Sequence, residues 1–198
     1  MLKKIFVSVI SLVVLSVGGV FAYNNFKHKP VYGIVLIDKD GTKINDSIHA
    51  QKKDIEKSVV VEGKWIDNSK TLALNTTDAQ KLIAFNAFKK VTGSKENYKF
   101  EPIRTIAPNE TALYSKEHNA LVTDEANKAF PTTINEYVVL GESSATVNNL
   151  LILPENQYNE FTGSPIYLGV LKVKTDASKA LINYTKIEQT QIYNESGA

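Results

Sequence analysis

The sequence predicts an α+β fold: one compact domain with a mixed or largely antiparallel sheet and two to four helices, behind an N-terminal hydrophobic helix. Three observations carry this. Helix-like and strand-like segments interleave without the strict alternation that a parallel βαβ sheet requires. Removing residues 1–22 from the 198 leaves 176, the size of one ordinary domain. The chain opens with Lys3 and Lys4 followed by an uncharged run, Ile5 to Ala22 (IFVSVISLVVLSVGGVFA).

That run holds about 18 residues, near the lower limit for a bilayer-spanning helix and slightly long for the apolar part of a signal peptide. Positive flanks stay on the cytoplasmic side, so Lys3 and Lys4 direct the rest of the chain outward. Val20-Phe21-Ala22 offers short residues where a signal peptidase reads. Residues 1–22 are therefore a signal peptide cleaved after Ala22 or a retained membrane anchor. Residues 23–30 (YNNFKHKP) read as a polar, basic stalk, and 31–195 as the extracytoplasmic domain.

Within the domain, Val31–Asp38 (VYGIVLID) has the β-branched content of a buried strand, and Asp38-Lys39-Asp40-Gly41 stops it with turn chemistry. A helix is expected over Asp46–Lys57, capped by Asp46, with Ile48 and Ile55 two turns apart. Ser58–Ile66 and Thr71–Leu74 follow as strands. Thr77–Val91 reads as the clearest helix. Thr77 and Gln80 match a capping box, Leu82, Ile83, Phe85, Phe88 and Val91 give a wide apolar face, and Lys89-Lys90 suit a C-terminal dipole before Gly93. Tyr98–Ile106 alternates as a strand, with Pro102 confining it to an edge or a bulge. Thr111–Ser115 and Ala120–Thr123 are short extended pieces. Glu136–Leu140 is a strand ended by Gly141, and Asn149–Leu153 (NLLIL) is another. Pro154–Phe161 is a short helical turn. Pro165–Lys174 is a long strand, Asp176–Tyr184 a helix capped by Asp176, and Thr185–Tyr193 a last alternating strand.

Composition narrows the chemistry. Setting Lys3 and Lys4 aside lowers Lys+Arg from 23 to 21, against 21 Asp+Glu. A domain of zero net charge has no electrostatic case for nucleic acid or an acidic membrane as a partner. The chain has no cysteine, which removes disulfides, thiol catalysis, cysteine zinc sites and lipid attachment through a lipobox cysteine. Its core must hold the fold alone, and 43% hydrophobic residues with 9 Tyr and 8 Phe supply one. An exported domain without disulfides suits a bacterial surface better than an animal secretory route.

Candidate chemistry is sparse. His28, His49 and His118 lie in the stalk, on a helix and in a loop, never at metal-ligand spacing. His118 beside Glu117 is the one acid–base candidate. Asp38-x-Asp40-Gly41 resembles the start of a calcium loop, but Thr42 and His49 stand at positions five and twelve, where ligands are required, so a turn is the better reading. Gly141-Glu142-Ser143-Ser144-Ala145 departs from a nucleophile elbow, which needs a final glycine. Asp124-Glu125 reads as the acidic start of a helical turn. Trp65 and the tyrosines 98, 114, 137, 158, 167, 184 and 193 read first as core packing, and secondly as the lining of a carbohydrate or peptide groove. No catalytic, cofactor or metal residues are assigned.

One resemblance emerges from the order of segments. GIVLI at Gly33–Ile37 precedes a charged helix, a helix opening T-x-A-x-x-L at Thr77–Leu82, NLLILPENQY at Asn149–Tyr158, and LGVLKVKTD at Leu168–Asp176. Over most of Val31–Glu195 this resembles a family of small Gram-positive envelope lipoproteins with no assigned activity. The departure is the lipobox cysteine, where this chain has Gly18-Gly19-Val20-Phe21-Ala22. The resemblance implies no catalytic residues.

The resulting expectation is a non-enzymatic binding or accessory module at a bacterial cell envelope. It would be tethered to the membrane through residues 5–22 or secreted after Ala22, with an unknown envelope or membrane protein as partner. An envelope enzyme acting on wall polymer or peptide, and an immunity-type protein guarding the membrane, are the alternatives.

Overall fold

Among the described residues the elements run in one chain order. They are β1 (Gly33–Asp38), α1 (Gly41–Ala50), β2 (Ile55–Ile66), β3 (Thr71–Asn75), α2 (Thr76–Ala84), β4 (Phe88–Thr92), β5 (Lys99–Pro102), β6 (Ala112–Ser115), β7 (Thr133–Asn135), β8 (Val138–Leu140), β9 (Asn149–Leu153), α3 (Glu155–Glu160), β10 (Ser164–Val173), α4 (Ala177–Ala180) and β11 (Gln189–Tyr193). A 3₁₀ helix, Leu181–Tyr184, follows α4 directly. The computed structural model describes residues 30–93, 97–106, 110–117, 121–130, 132–143 and 146–195, with backbone alone at 133–135. The hydrophobic segment 5–22, the stalk up to Lys29, the bond after Ala22, His28, His118 and Ser144 lie outside the described residues. Val31–Ala198 is one compact unit with the expected α+β architecture and a mostly antiparallel mixed sheet.

Two sheets divide the strands. The larger has eight strands in the order β11-β1-β10-β2-β3-β9-β6-β7, and the smaller has the order β5-β4-β8. Pairing is antiparallel except for β3 with β9 and β6 with β7. The long pair β2–β10 forms the spine, in register from Trp65↔Ser164 to Lys57↔Lys172, with an irregularity between Lys172 and Val173. The first strand, β1, lies between β10 and the last strand, β11.

The unbroken apolar runs of β3 and β9 have a direct cause. Leu72, Leu74, Leu150 and Ile152 enter one core, while Ala73, Leu151 and Leu153 enter a second core on the other face with Leu113, Val122, Phe130 and Phe161. A strand covered on both faces cannot alternate with polar residues. The same holds for β1, all six of whose residues are buried.

Helix ends depart from expectation where a stronger cap competes. The first helix starts at Gly41, capped by Asp40, whose carboxylate accepts from Thr42 N at 2.9 Å. It ends at Ala50, and Ile55 opens β2, so the expected helix Asp46–Lys57 is displaced. Its fully buried residue is Ile44. Ile44 packs against Gly169 so closely that a Cβ there would sit 2.8 Å from Ile44 Cγ2.

The second correction concerns Thr77–Val91, of which only the first half is helical. Asn75 is the cap: its side chain accepts from Asp78 N at 2.7 Å and donates to Asp78 Oδ2 at 2.9 Å. Asn86 takes φ +55, with Asn86 N bonded to Ile83 O and Ala87 N to Leu82 O. This left-handed residue with nested 6→1 and 5→2 bonds is a Schellman stop. Phe88–Thr92 then pairs with β5 and β8. Elsewhere, β5 is an edge strand ending on Pro102, as its proline requires. β9 has the expected bounds, and Asp176 caps α4 by accepting from Ser178 N at 3.0 Å. β7, paired in parallel with β6, is additional to the strands expected.

Candidate functional site

The acidic candidates serve the backbone. Asp38, 1% exposed, accepts from Asp40 N at 2.9 Å and Glu188 N at 3.0 Å, and Lys43 Nζ lies 3.4 Å away. The turn reading of this segment therefore holds, and no cluster of metal-binding side chains occurs among the described residues. Asp124, 3% exposed, accepts from Lys128 N at 2.8 Å and Thr162 N at 3.1 Å. The sequence expectation that Asp124-Glu125 opens a helical turn is not met: no helix occurs over 121–130. Thr123 forms an isolated antiparallel bridge with Ala129, and Asp124 ties the loop between them to the start of β10. His49 is exposed in the last turn of α1. Glu117 is exposed, its N–H bonded to Ser115 Oγ. Of the aromatic candidates, Tyr158, Tyr184 and Tyr193 are core residues, while Trp65 and Tyr114 pack partly buried against the main cluster.

Two concave surfaces occur among the described residues. One, of about 360 Å³, is bordered by Lys39, Asp40, Thr42, Asn45 and Tyr167. Another, of about 260 Å³, runs between the β2–β3 turn (Ile66, Asp67, Asn68, Ser69) and Leu121, Thr123, Asp124, Glu125 and Asn127. This second cleft combines geometry with chemistry. Leu121 is 75% exposed on its rim. Its buried acid, Asp124, is bonded to backbone, but Asp67 and Glu125 are exposed and each accepts from one neutral donor, Asp67 from Trp65 Nε1 at 2.5 Å and Glu125 from Ser164 Oγ at 3.0 Å, so both still present carboxylate oxygens to solvent. What the cleft offers a ligand is an apolar edge, the amides of Asn68 and Asn127, and these two carboxylates. Such a lining fits a polar chain that brings hydrogen-bond donors and an apolar contact.

Elsewhere on β2, Lys64 Nζ donates to Tyr158 O at 2.7 Å and to Phe161 O at 2.5 Å, and lies 4.6 Å from the centre of the Tyr158 ring. A cation thus holds the carbonyl end of α3, the favourable end for positive charge.

A third cluster has no counterpart in the sequence reading. Lys89, expected at a helix end, lies on β4 and is 1% exposed. Its Nζ donates to Asn194 O at 2.7 Å, and Asn194 N donates to the Glu142 carboxylate at 3.1 Å. Burial lowers the Lys89 pKa, against the pull of Glu142 and Glu195 and with the push of Arg104. Burial raises the Glu142 pKa, opposed by the Asn194 N–H and by Lys89. Gln191 Nε2 bonds Leu140 O at 3.0 Å, while its buried Oε1 has no hydrogen-bond partner among the described residues. Gly141, at φ +67, makes the turn that brings Glu142 inward. Perturbed amine and carboxylate pairs are a mark of active sites. Here both hold one backbone unit, so the cluster clamps the end of β11 to the small sheet. Tyr193 OH to Phe85 O (2.9 Å) and Asn86 Nδ2 to Glu195 O (2.7 Å) reinforce it. The signal available in sequence was strand alternation, which turns Lys89 inward and Lys90 outward.

Comparison with known proteins fits this picture. A family model described as an uncharacterised lipoprotein family matches residues 31–195. The fold is similar to a crystal structure from Bacillus anthracis, of a protein provisionally designated a lipoprotein. The TM-score is 0.69 at 20% identity, covering 83% of this chain and 99% of that one. No curated protein matches the chain.

Proposed function

The chain belongs to an uncharacterised lipoprotein family, and from that premise we propose that it is a non-enzymatic binding or accessory module at a bacterial cell envelope. Membership in such a family carries an extracytoplasmic, cell-envelope address. With no cysteine in the 198 residues, the attachment in this reading is the Ile5–Ala22 segment, or none after cleavage at Ala22. The observation that carries the binding reading is the cleft beside Leu121. It pairs an exposed apolar rim with amide groups and with the exposed carboxylates of Asp67 and Glu125. An extended segment of an envelope protein suits that chemistry.

The test is photo-crosslinking from position 121 in intact envelopes, with Asn127→Arg as the competing variant. One discrete adduct, lost when Asn127 becomes arginine, is the expected result. No adduct above that from an exposed control position such as Ile182 would count against the reading.

A further inference from the structure

We propose that the end of the domain where the chain enters, around Val31, is a basic face that rests on a bilayer of anionic phospholipid. This rests on the reading that Ile5–Ala22 holds the chain at a membrane.

The topology gathers the face from separate segments. Val31 O accepts from Ala177 N and Tyr32 O from Val173 N, each at 2.8 Å, so the end of β10 and the start of α4 close over the entry point. Lys174 N donates to Asp54 O at 2.8 Å and Lys174 Nζ to Lys53 O at 2.7 Å, which brings the turn before β2 to the same end. Lys52, Lys53, Lys57, Lys174 and Lys179 are all exposed there. Three of the local acids are engaged: Glu56 pairs with Lys172 at 3.1 Å, Asp176 caps α4, and Glu195 accepts from Tyr32 N, while Asp54 is exposed among the lysines.

This end brings together Lys52, Lys53, Lys57, Lys172, Lys174 and Lys179 against Asp54, Glu56, Asp176 and Glu195, a local excess of positive charge. With Lys3, Lys4, Lys27 and Lys29 set aside, residues 31–198 as a whole carry 19 of the 23 basic residues against all 21 acidic ones. The overall balance gives no case for an anionic surface, whereas the local one does. The occupant follows from the arrangement. The ammonium groups are spread over an exposed surface and do not converge on a pocket, which matches a plane of headgroups better than one bound anion. Reach is sufficient: the eight residues from Tyr23 to Pro30 span at most about 28 Å when extended. Lys27 and Lys29 continue the same sign toward the apolar run. Attraction between basic residues and an anionic surface acts within about one Debye length, roughly 8–10 Å in ordinary salt.

The experiment uses the full chain in nanodiscs, with neutral or anionic phospholipid, and reads lysine acylation site by site by mass spectrometry. Labelling of Lys53 and Lys179 is expected to slow by about fivefold on anionic discs relative to neutral ones, the occupancy equivalent of the attraction per basic residue near such a surface. The protection should vanish near about 0.5 M salt. It should shrink in the surface variant Lys52→Glu/Lys57→Glu, which alters no hydrogen bond described above. Equal labelling on both discs, with the chain retained, would overturn the proposal. So would protection by a soluble glycerol-phosphate polymer on neutral discs with none from anionic discs. Loss of the chain from both discs in a salt wash defeats the tether instead, and protection on anionic discs at low salt still decides the face.

Discussion

Replacing Lys64 by methionine removes one ammonium and keeps the stem that packs beneath it. The ammonium makes two hydrogen bonds to carbonyls at the end of α3, to Tyr158 O and Phe161 O, and stands over the Tyr158 ring. Hydrogen bonds from a charged donor contribute about 1.5–3 kcal/mol each, and a half-buried donor belongs at the low end. Two such bonds give a loss of about 3 kcal/mol. For a domain of this size that corresponds to a fall in Tm of about 6–12 °C. Urea unfolding followed by the fluorescence of Trp65, the one tryptophan of the chain, and by far-UV circular dichroism measures it. Lys128→Met supplies the reference. Lys128 pairs with Glu160 at 2.6 Å and lies 5.1 Å from the Phe130 ring centre, yet both charged side chains are more than half exposed. That change should cost far less than the loss of Lys64, because solvent screens an exposed pair. If Lys64→Met loses no more than Lys128→Met, the argument that burial and carbonyl contact make this cation matter is wrong.

Glu142 predicts a pH dependence. Its pKa in the folded chain is raised by burial, so the folded state keeps a proton that the unfolded state has released. That stabilisation is complete below the ordinary carboxyl value and is lost as pH rises through the raised one. The slope is at most about 1.4 kcal/mol per pH unit, and denaturation curves of Glu142→Gln between acid and neutral pH should lack it. Lys89 acts oppositely: its lowered pKa adds stability as pH climbs through the lowered value toward that of a free lysine. Gly169→Ala should cost about 1–3 kcal/mol through overpacking against Ile44 Cγ2, measured by thermal unfolding, and in a double-mutant cycle it should cost less in the Ile44→Ala background, where that carbon is gone. Asp124→Ala strips the acceptor from Lys128 N and Thr162 N. Limited proteolysis should then cut within 121–130 far faster than in the parent, while an unchanged cleavage pattern would show that the loop is held by other contacts.

Local chemistry was legible where one signal dominated. NLLIL at β9, the Asp176 cap and the edge role of Pro102 are each set by residues within a few positions of one another. The failures come where two local signals compete or where the partner is distant. Asp40 and Asp46 are both competent caps, and the choice falls to Asp40 because it brings Ile44 against Gly169, a residue far along the chain. Phe85, Phe88 and Val91 fit a helical face as well as they fit a strand, and Asn86 in the left-handed conformation decides between them. Sheet order was not legible at all, since the parallel joins β3–β9 and β6–β7 depend on residues that no short window contains. The Lys89–Glu142 clamp escaped for the same reason: both its members hold Asn194.

The position of β1 has a consequence in time. Gly33 stands in register with Lys172 on one side and Tyr193 on the other, so the first strand to emerge finds both its partners among the last residues made. An exported chain passes outward from its N-terminal end. For nearly the whole of that passage the six residues GIVLID, all destined for burial, have no strand to lie against. Pairings this remote form slowly. On the proposed export route the sheet could close only after the final strand had crossed, so the domain would stay open through the interval when a translocation pore demands it, and for the same interval its first strand would depend on the cell to keep it from other chains.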